Sequence, residues 1–449
     1  MDSSPTPTKY DLTLPYHFQP RPYQLPILRK LDSGIKRAVA VWHRRAGKEK
    51  TFINYTAKAA FQRVGTYYYL FPTYSQAKKV LWDGRDREGF PFMAHFPKQI
   101  VSKKNEQEMR VELANGSAMQ LIGSDNIDSI LGTNPVGCVF SEYALQDPKA
   151  WDYMRPILRE NGGWAIFDYT PRGKNHGWHL YEMAKSNPDW YAEILTITDT
   201  GALTEADIQA ERDAGMSEEL IQQEFYCSFE GVMSGSVFGH AMNEAERDGR
   251  ICGVPWQPEL MVDTWWDIGT GDPTAIWFTQ DSGREVHVID YYENSGAGIG
   301  IDHYVKYLRD KPYIYGRHTG PHDIESHQFA ANGKSTREQA LGLGLRFEKE
   351  TMKKDGQATI TAARSFLKRC WFDRKKTERG RDALTSYHFR YDDKRKTFDD
   401  DPYHDWASNA ADAFQYLSIG HKFTMKAREA KVEIIQYQPG EESLGWMTT

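Results

Sequence analysis

Val39-Ala-Val-Trp-His-Arg-Arg-Ala-Gly-Lys48-Glu-Lys-Thr51 is an apolar strand that runs into a loop ending in Gly-Lys and then into a helix. A phosphate cradle requires that succession. A glycine lets backbone N–H groups close on phosphate oxygens, a lysine supplies a point charge, and the helix N-terminus adds its dipole. Gly47 and Lys48 fill the first two places. Trp42 stands where the first glycine of the usual cradle would be, and Glu49 where Ser or Thr would hold Mg2+. By itself, Gly-Lys after a strand is equally a plain turn entering a helix. The preceding His43-Arg44-Arg45 argues against that bland reading, because two adjacent arginines at a strand end are costly as structure and useful beside a triphosphate.

Outward from this point, β-rich runs at 38–42, 66–71, 119–123, 137–140 and 165–169 are interleaved with helical stretches near 48–62 and 75–82. Strands alternating with helices predict an α/β domain with a mainly parallel sheet. Residues 203–229 read as charged helices with Thr204 and Ser217 as N-caps, and the glycines near 231–235 break the pattern. A second α/β block follows, with strands at 261–268, 275–280 and 285–292 and a turn at Asp281-Ser-Gly. A helix near 300–308, a strand near 317–323 and a last helix over 406–419 complete it. The order β-β-β-α-β…α resembles an RNase H-like arrangement. The expected organisation is an arm at 1–17, a first domain at 18–235 with a helical linker region at about 203–235, a junction at 236–254, a second domain at 255–425, and a tail at 426–449.

The length, 449 residues, exceeds one ordinary core and agrees with two domains. Hydrophobic residues at 40% and charged ones at 26% exclude a chain disordered by composition. Lys and Arg number 56 against 62 Asp and Glu, a net charge of −6, so bulk charge does not drive binding to a polyanion; a local basic groove would have to do so. No run of about 18 apolar residues occurs, so no spanning helix and no membrane partner are expected. The first residues lack the basic start and apolar run of a secretory signal. Four dispersed cysteines without C-x-x-C indicate neither a zinc knuckle nor a disulfide framework. A reduced, cytosolic setting fits.

Three further motifs accompany the cradle. Val136-Gly-Cys-Val-Phe-Ser141-Glu142-Tyr-Ala is an apolar strand ending in an acid, which places a carboxylate beside a γ-phosphate. The usual pair there is Asp-Glu. Ser141 takes the Asp position, so Glu142 must orient water, with the Ser141 hydroxyl left to reach the metal's hydration shell. Ile166-Phe-Asp-Tyr-Thr170-Pro-Arg172-Gly-Lys-Asn-His176 brings a hydroxyl and a basic cluster to another strand end. Arg21-Pro-Tyr-Gln24 precedes a helix, and a glutamine amide both donates to and accepts from adenine. In the second block, Trp265-Trp-Asp267-Ile-Gly269-Thr-Gly-Asp272-Pro-Thr sets an acid in an apolar strand, where desolvation is costly unless a cation compensates it. Asp323, Asp405 and Asp412 are further acids for a shared site. Several carboxylates and no cysteine suit two Mg2+ or Mn2+ ions rather than zinc.

Taken in order and spacing, Arg21-Pro-Tyr-Gln24, Trp42-His-Arg-Arg-Ala-Gly-Lys48, Phe140-Ser-Glu142-Tyr-Ala and Tyr169-Thr170-Pro-Arg-Gly-Lys-Asn-His176 resemble the Q motif, Walker A, Walker B and coupling motif of tailed-phage terminase large subunits. The resemblance covers roughly residues 18–420. It implies a P-loop (RecA/ASCE-like) ATPase domain followed by an RNase H-like nuclease domain. It further implies ATP-driven movement of double-stranded viral DNA into a procapsid and metal-dependent cleavage of concatemeric DNA. The ATP residues it implies are Arg21, Gln24, Arg44, Arg45, Gly47, Lys48, Glu49 and Thr170, with Lys48 and Glu142 catalytic and Arg172 a phosphate sensor. At the nuclease site the family's first acid matches Asp267 and its middle acid Asp323, with Asp290 a competitor read as a structural neighbour. The last is Asp405 or, second, Asp412, seven residues on, two helical turns that leave both on one face. Mg2+, or Mn2+, is implied at both sites. Implied partners are DNA, the procapsid portal, a small terminase subunit and further copies of the chain in a ring, or a monomer in solution. The implied location is the cytoplasm of the infected bacterium and, transiently, the portal vertex. The departures, Glu49 and Ser141, bear on magnesium coordination. Leu131 precedes Gly132-Thr-Asn-Pro where relatives often carry arginine, so no trans-acting arginine is assigned.

Lys353, Lys354, Arg364, Lys368, Arg369, Arg374, Lys375, Lys376, Arg379 and Arg381 form a basic stretch that reads either as a DNA phosphate track or as a solvated face. Two other function classes share these features. One is a helicase-like ATPase-nuclease of DNA repair; the other, given Glu49 and Ser141, is a non-catalytic DNA-binding scaffold.

Overall fold

The computed structural model describes residues 18–231, 235–269, 273–294, 299–321, 324–325, 335–348, 354–392 and 397–427. The expected arm at 1–17 and the expected tail from 428 onward lie outside the described residues. By internal contacts the chain divides into two compact units. One comprises Met1–Pro255, His287–Tyr291 and Cys370–Ala411; the other comprises Trp256–Val286, Tyr292–Arg369 and Asp412–Thr449.

In the first unit, β1 (Arg37–Trp42), β2 (Thr66–Phe71), β3 (Val101–Asn105), β4 (Arg110–Leu113), β5 (Ala118–Gly123), β6 (Pro135–Ser141), β7 (Trp164–Tyr169) and β8 (Trp190–Leu195) form one sheet in the order β3-β4-β5-β2-β6-β7-β1-β8. From β5 to β8 every pairing is parallel, and β3 and β4 add an antiparallel edge. Parallel strands covered on both faces read as unbroken apolar runs, and β1 and β2 do so because successive residues serve two cores. Ala40, Trp42, Tyr69, Phe71 and Ile166 pack with Phe52 and Ile53 of the Lys48–Gln62 helix. Val41, Leu70, Phe140 and Phe167 pack on the other face with Trp151, Met154 and Leu158 of the Lys149–Glu160 helix. The strand order sets β7 between β1 and β6, so their C-terminal ends lie side by side, where open α/β sheets bind ligands.

The sequence reading anticipated β1, β2, β5, β6 and β7 but not β3, β4 or β8. Positions 102–104 of β3 are exposed and charged or polar, as befits a protected sheet edge, and every residue of β8, the opposite edge, is only half-buried. The expected helix near 75–82 is α-helical only over Tyr74–Ala77 and continues as a π turn over Lys78–Trp82. Beyond the sheet, the helices Glu205–Asp213 and Glu218–Glu224 begin where expected. The Thr204 and Ser217 hydroxyls accept the N–H groups of Asp207 and Leu220.

Downstream strands are β9 (Ile251–Cys252), β10 (Val262–Asp267), β11 (Thr274–Asp281), β12 (Val286–Asn294), β13 (Tyr315–Thr319), β14 (Cys370–Asp373), β15 (Phe389–Asp392) and β16 (Thr397–Pro402). In the second unit β10 pairs antiparallel with β11 and parallel with β13, and the Ile301–Arg309 helix falls between β12 and β13 in the chain. This is the β-β-β-α-β succession that the RNase H-like reading expects. Trp265, Trp266 and Trp277 are fully buried. Gly420, in the Ser408–Ala427 helix, lets that helix close on Trp265, since a Cβ there would meet the indole at 2.4 Å.

In the first unit, Asp382 of the Glu378–Ser386 helix is 7% exposed, and burial pushes its carboxyl up to about 7 despite the opposing Arg381. The folded chain therefore prefers protonated Asp382, where an unfolded aspartate titrates near ~3.9. That preference stabilises fully below about pH 4 and is lost as pH rises through about 7. Asp382→Asn is thus expected to unfold at a higher temperature than the parent at pH 8, with the gap closing at pH 4. Calorimetric Tm values at the two pH values check it; an equal gap at both contradicts the assignment.

Candidate functional site

The loop after β1 is tied down at each step. His43 N–H donates to the Leu195 carbonyl at 3.0 Å, Arg44 N–H to the Glu224 carbonyl at 2.8 Å, and Ala46 N–H to the His43 carbonyl at 3.2 Å. Three residues at the strand ends adopt left-handed backbone: Arg45 at φ 73°, Gly47 at φ 84° and Glu142 at φ 53°. Glycine takes this conformation freely, whereas arginine and glutamate store strain that the surroundings must hold, a pattern typical of functional sites. A Cβ at Gly47 would also meet Gln24 Nε2 at 3.0 Å.

Lys48 opens the helix and is 5% exposed. Its ammonium donates to the Trp42 carbonyl at the end of β1 at 3.2 Å and to Thr170 Oγ1 just past β7 at 3.0 Å, and lies 3.4 Å from Glu142 Oε1 at the end of β6. One side chain thus draws together three motifs separated by up to 122 positions. Burial opposes its charge, but Glu142, Glu49 and Asp168 outweigh that and hold it above the usual lysine value. Glu49 is raised by burial and by Glu142, against Lys48.

Gln24 and Arg21 sit at the same loop by other bonds than those to adenine. Gln24 Nε2 donates to the Ala46 carbonyl at 3.0 Å and its Oε1 accepts the Arg21 N–H at 2.9 Å, while the Tyr23 hydroxyl donates to the same Ala46 carbonyl. Arg21 contributes Nη1 to the Tyr23 hydroxyl. Arg172 is held by the buried carboxylate of Glu224, which sustains its charge against burial, so it is engaged within the fold.

Sequence reasoning passed over Asp168. It is fully buried on β7, directly beside Ser141 in register, and accepts the Ser141 hydroxyl at 3.3 Å. Its Oδ2 and Glu142 Oε2 are buried and have no hydrogen-bond partner. Burial and the neighbouring Glu49 raise the Asp168 carboxyl well above the ordinary range. The signal was present: a lone acid inside Ala165-Ile-Phe-Asp-Tyr is the same anomaly that drew attention to Asp267. Two buried carboxylate oxygens without donors, beside a lysine and a strained loop, fit a divalent cation accompanying a phosphate.

The described acids expected at a shared metal site fall in separate surroundings. Asp267 ends β10 opposite Ala275 and is half-buried. Asp323 and Asp272 lie outside the described residues. Asp290, on β12, is buried, and its Oδ1 accepts the N–H of Tyr291. Asp412 is neutralised by Lys354 at 2.7 Å and accepts from Gln415. The helix expected from 406 begins at Ser408, so Asp405 lies in the turn before it and the two-turn alignment with Asp412 does not hold. The cause is local: Asp405 Oδ1 accepts the Ala407 N–H at 2.9 Å, and the Asp405 N–H donates to Ser408 Oγ at 2.8 Å. Burial raises the Asp405 carboxyl. Among the described residues no three His, Cys, Asp or Glu side chains group closely enough to hold a metal by themselves.

Part of the basic stretch is engaged within the fold. Arg379 makes a two-pronged pair with Asp147 at 2.7 and 3.1 Å and stacks on Trp406, Arg374 pairs with Glu246, and Arg381 is buried on Thr377 and the Arg374 carbonyl. Arg379 and Arg381 are thereby engaged within the fold, whereas Arg374 keeps an exposed side chain; Lys353 lies outside the described residues. No helix among the described residues is long and apolar enough to cross a membrane.

No protein-family profile matches the chain. Over 185 residues it is 27% identical to the large terminase subunit of Escherichia phage T5, a match covering 39% of this chain and 42% of that protein's length. Among solved structures, a large terminase from a thermophilic bacteriophage in complex with ADP is 16% identical, covering 90% of this chain and 99% of that one at a TM-score of 0.41. The nuclease domain of the P22 large terminase is 14% identical, covering 42% and 94% at a TM-score of 0.32. In sequence over that 185-residue match, the protein this chain resembles is a phage large terminase subunit.

Proposed function

We propose that this chain is a large terminase subunit, which hydrolyses ATP to drive double-stranded viral DNA into a procapsid and cuts concatemeric DNA with divalent metal. The observation that carries this reading is the Lys48 ammonium, bonded at once to the ends of β1 and β7 and facing Glu142 at the end of β6. Gly47, Arg44, Arg45 and Lys48 bind the phosphates, and Arg21 and Gln24 hold the loop from behind through Tyr23 and Ala46. Glu142 orients the attacking water. Glu142 and Thr170 share the Lys48 ammonium, for which a γ-phosphate would compete. Thr170 then passes the nucleotide state to β7 and beyond. The ATPase part is assigned to 18–235 and the nuclease to 255–425, with 236–254 as their junction.

For cutting, Asp267 anchors the metal site, with Asp323 and Asp405 as the partners that the family resemblance implies. Asp405 is preferred over Asp412 because Lys354 already neutralises the latter. Bound Mg2+ or Mn2+ would supply an activated water and a counter-charge for the leaving oxygen. The partners proposed are DNA, the portal, a small subunit and a ring of copies, working in the cytoplasm of the infected cell.

The test is ATP-dependent protection of DNA from DNase in the presence of purified empty proheads. Protection that requires ATP is expected. Unwinding of a forked duplex without protection would replace this reading with the helicase-like one. No ATP turnover even with portal and DNA present would replace it with the scaffold.

A further inference from the structure

The two departures from the usual phosphate site are reciprocal: the helix carries an acid, Glu49, where a hydroxyl is usual, and β6 carries a hydroxyl, Ser141, where an acid is usual. A cation site altered at only one of these positions would lose a ligand; altered at both, it calls for a replacement acid near by. The sheet supplies one. Asp168 lies on β7 at the level of Ser141, one strand closer to the cradle strand β1, where its own register partner is Ala40. Adjacent strands are about 4.8 Å apart, so the shift moves a carboxylate by one strand and no further. Along β7, Asp168 shares the face of Ile166, which packs with Phe52 of the Lys48–Gln62 helix, and of Thr170, which bonds Lys48.

We propose that Asp168 is the protein carboxylate that holds the divalent cation of bound ATP, replacing the acid absent at Ser141. This inference rests on the ATPase reading above. A carboxylate that is fully buried, with one oxygen on Ser141 and the other unpartnered, is costly as mere structure. The magnesium ion of a bound nucleotide takes one or two protein carboxylates and draws its other oxygens from the phosphates and water, so a single carboxylate here suffices. Ser141 has a role in this arrangement: its hydroxyl donates to Oδ1 and orients the group, leaving Oδ2 for the ion.

The test measures the affinity of the full chain for a fluorescent ATP analogue with Mg2+ and with EDTA. The parent chain should bind more tightly with Mg2+. Asp168→Asn, close in shape and uncharged, should keep the EDTA affinity and lose the Mg2+ enhancement by on the order of tenfold or more. Adding Ser141→Asp to that variant should restore the enhancement, because residue 141 is the register neighbour of 168. An Asp168→Asn chain that keeps the full enhancement overturns the inference. So does a parent chain that binds nucleotide equally with and without Mg2+. Should Asp168→Asn not bind even with EDTA, the double variant carries the same comparison, and absence of enhancement there overturns the inference. A parent chain that binds no nucleotide under either condition instead overturns the ATPase reading itself.

Discussion

Lys48→Ala is expected to lower ATP turnover in the packaging assembly by roughly 10²–10³-fold, the loss seen when one preorganised electrostatic group is removed from a transition state. Lys48 is 5% exposed, and its ammonium lies among the carboxylates Glu142, Glu49 and Asp168, which sustain its charge. Deleting it removes the counter-charge for the phosphates and leaves Glu142 and Thr170 without the group that holds them in common. DNA cleavage by the same preparation should be retained, which also shows that the variant is folded. The check is phosphate release with portal, proheads and DNA present. A drop smaller than tenfold removes Lys48 from the machinery.

Asp267→Ala is expected to give the complementary result, with cleavage of duplex DNA falling by at least ~10²-fold and ATP turnover unchanged. Loss of a residue merely behind the ligands costs about 10–100-fold in metal affinity or activity, so loss of a ligand should reach or exceed the upper end. Asp267 ends β10 next to two fully buried tryptophans. Supercoiled plasmid with Mn2+ gives the readout. Cleavage at the parental rate in clean protein moves the metal site away from β10.

The contrast between what could and could not be read from the sequence follows burial. The parallel strands β1, β2, β6 and β7 were legible because both faces are covered, so most positions are apolar. The same rule hid β3 and β8, which lie at the sheet edges and show no buried run. Caps at Thr204 and Ser217 were legible because a hydroxyl before acidic helical turns has a local role. The last helix starts later than its sequence pattern suggests because Asp405 caps the turn before it, its Oδ1 accepting from Ala407 and its N–H donating to Ser408 Oγ.

At the site, the strand-end residues Lys48, Thr170 and Glu142 were legible singly, and the sheet order explains why they meet. Gln24 was read for adenine, and its amide also bonds Ala46 and Arg21, contacts that depend on a loop fold invisible in the sequence. Charge alone did not separate Arg379 and Arg381 from a DNA track, since their partners Asp147 and Thr377 are recognisable only once folded. Asp168 was overlooked because its meaning lies across the sheet, in Ser141 on the adjacent strand.

The most direct trial of the account is a crystal structure of the full chain grown with a non-hydrolysable ATP analogue and Mn2+, with the ions located by anomalous scattering. The account predicts triphosphate density in contact with Lys48 and manganese at the carboxylate of Asp267. Phosphates bound away from Lys48, together with manganese bound away from Asp267, would contradict it.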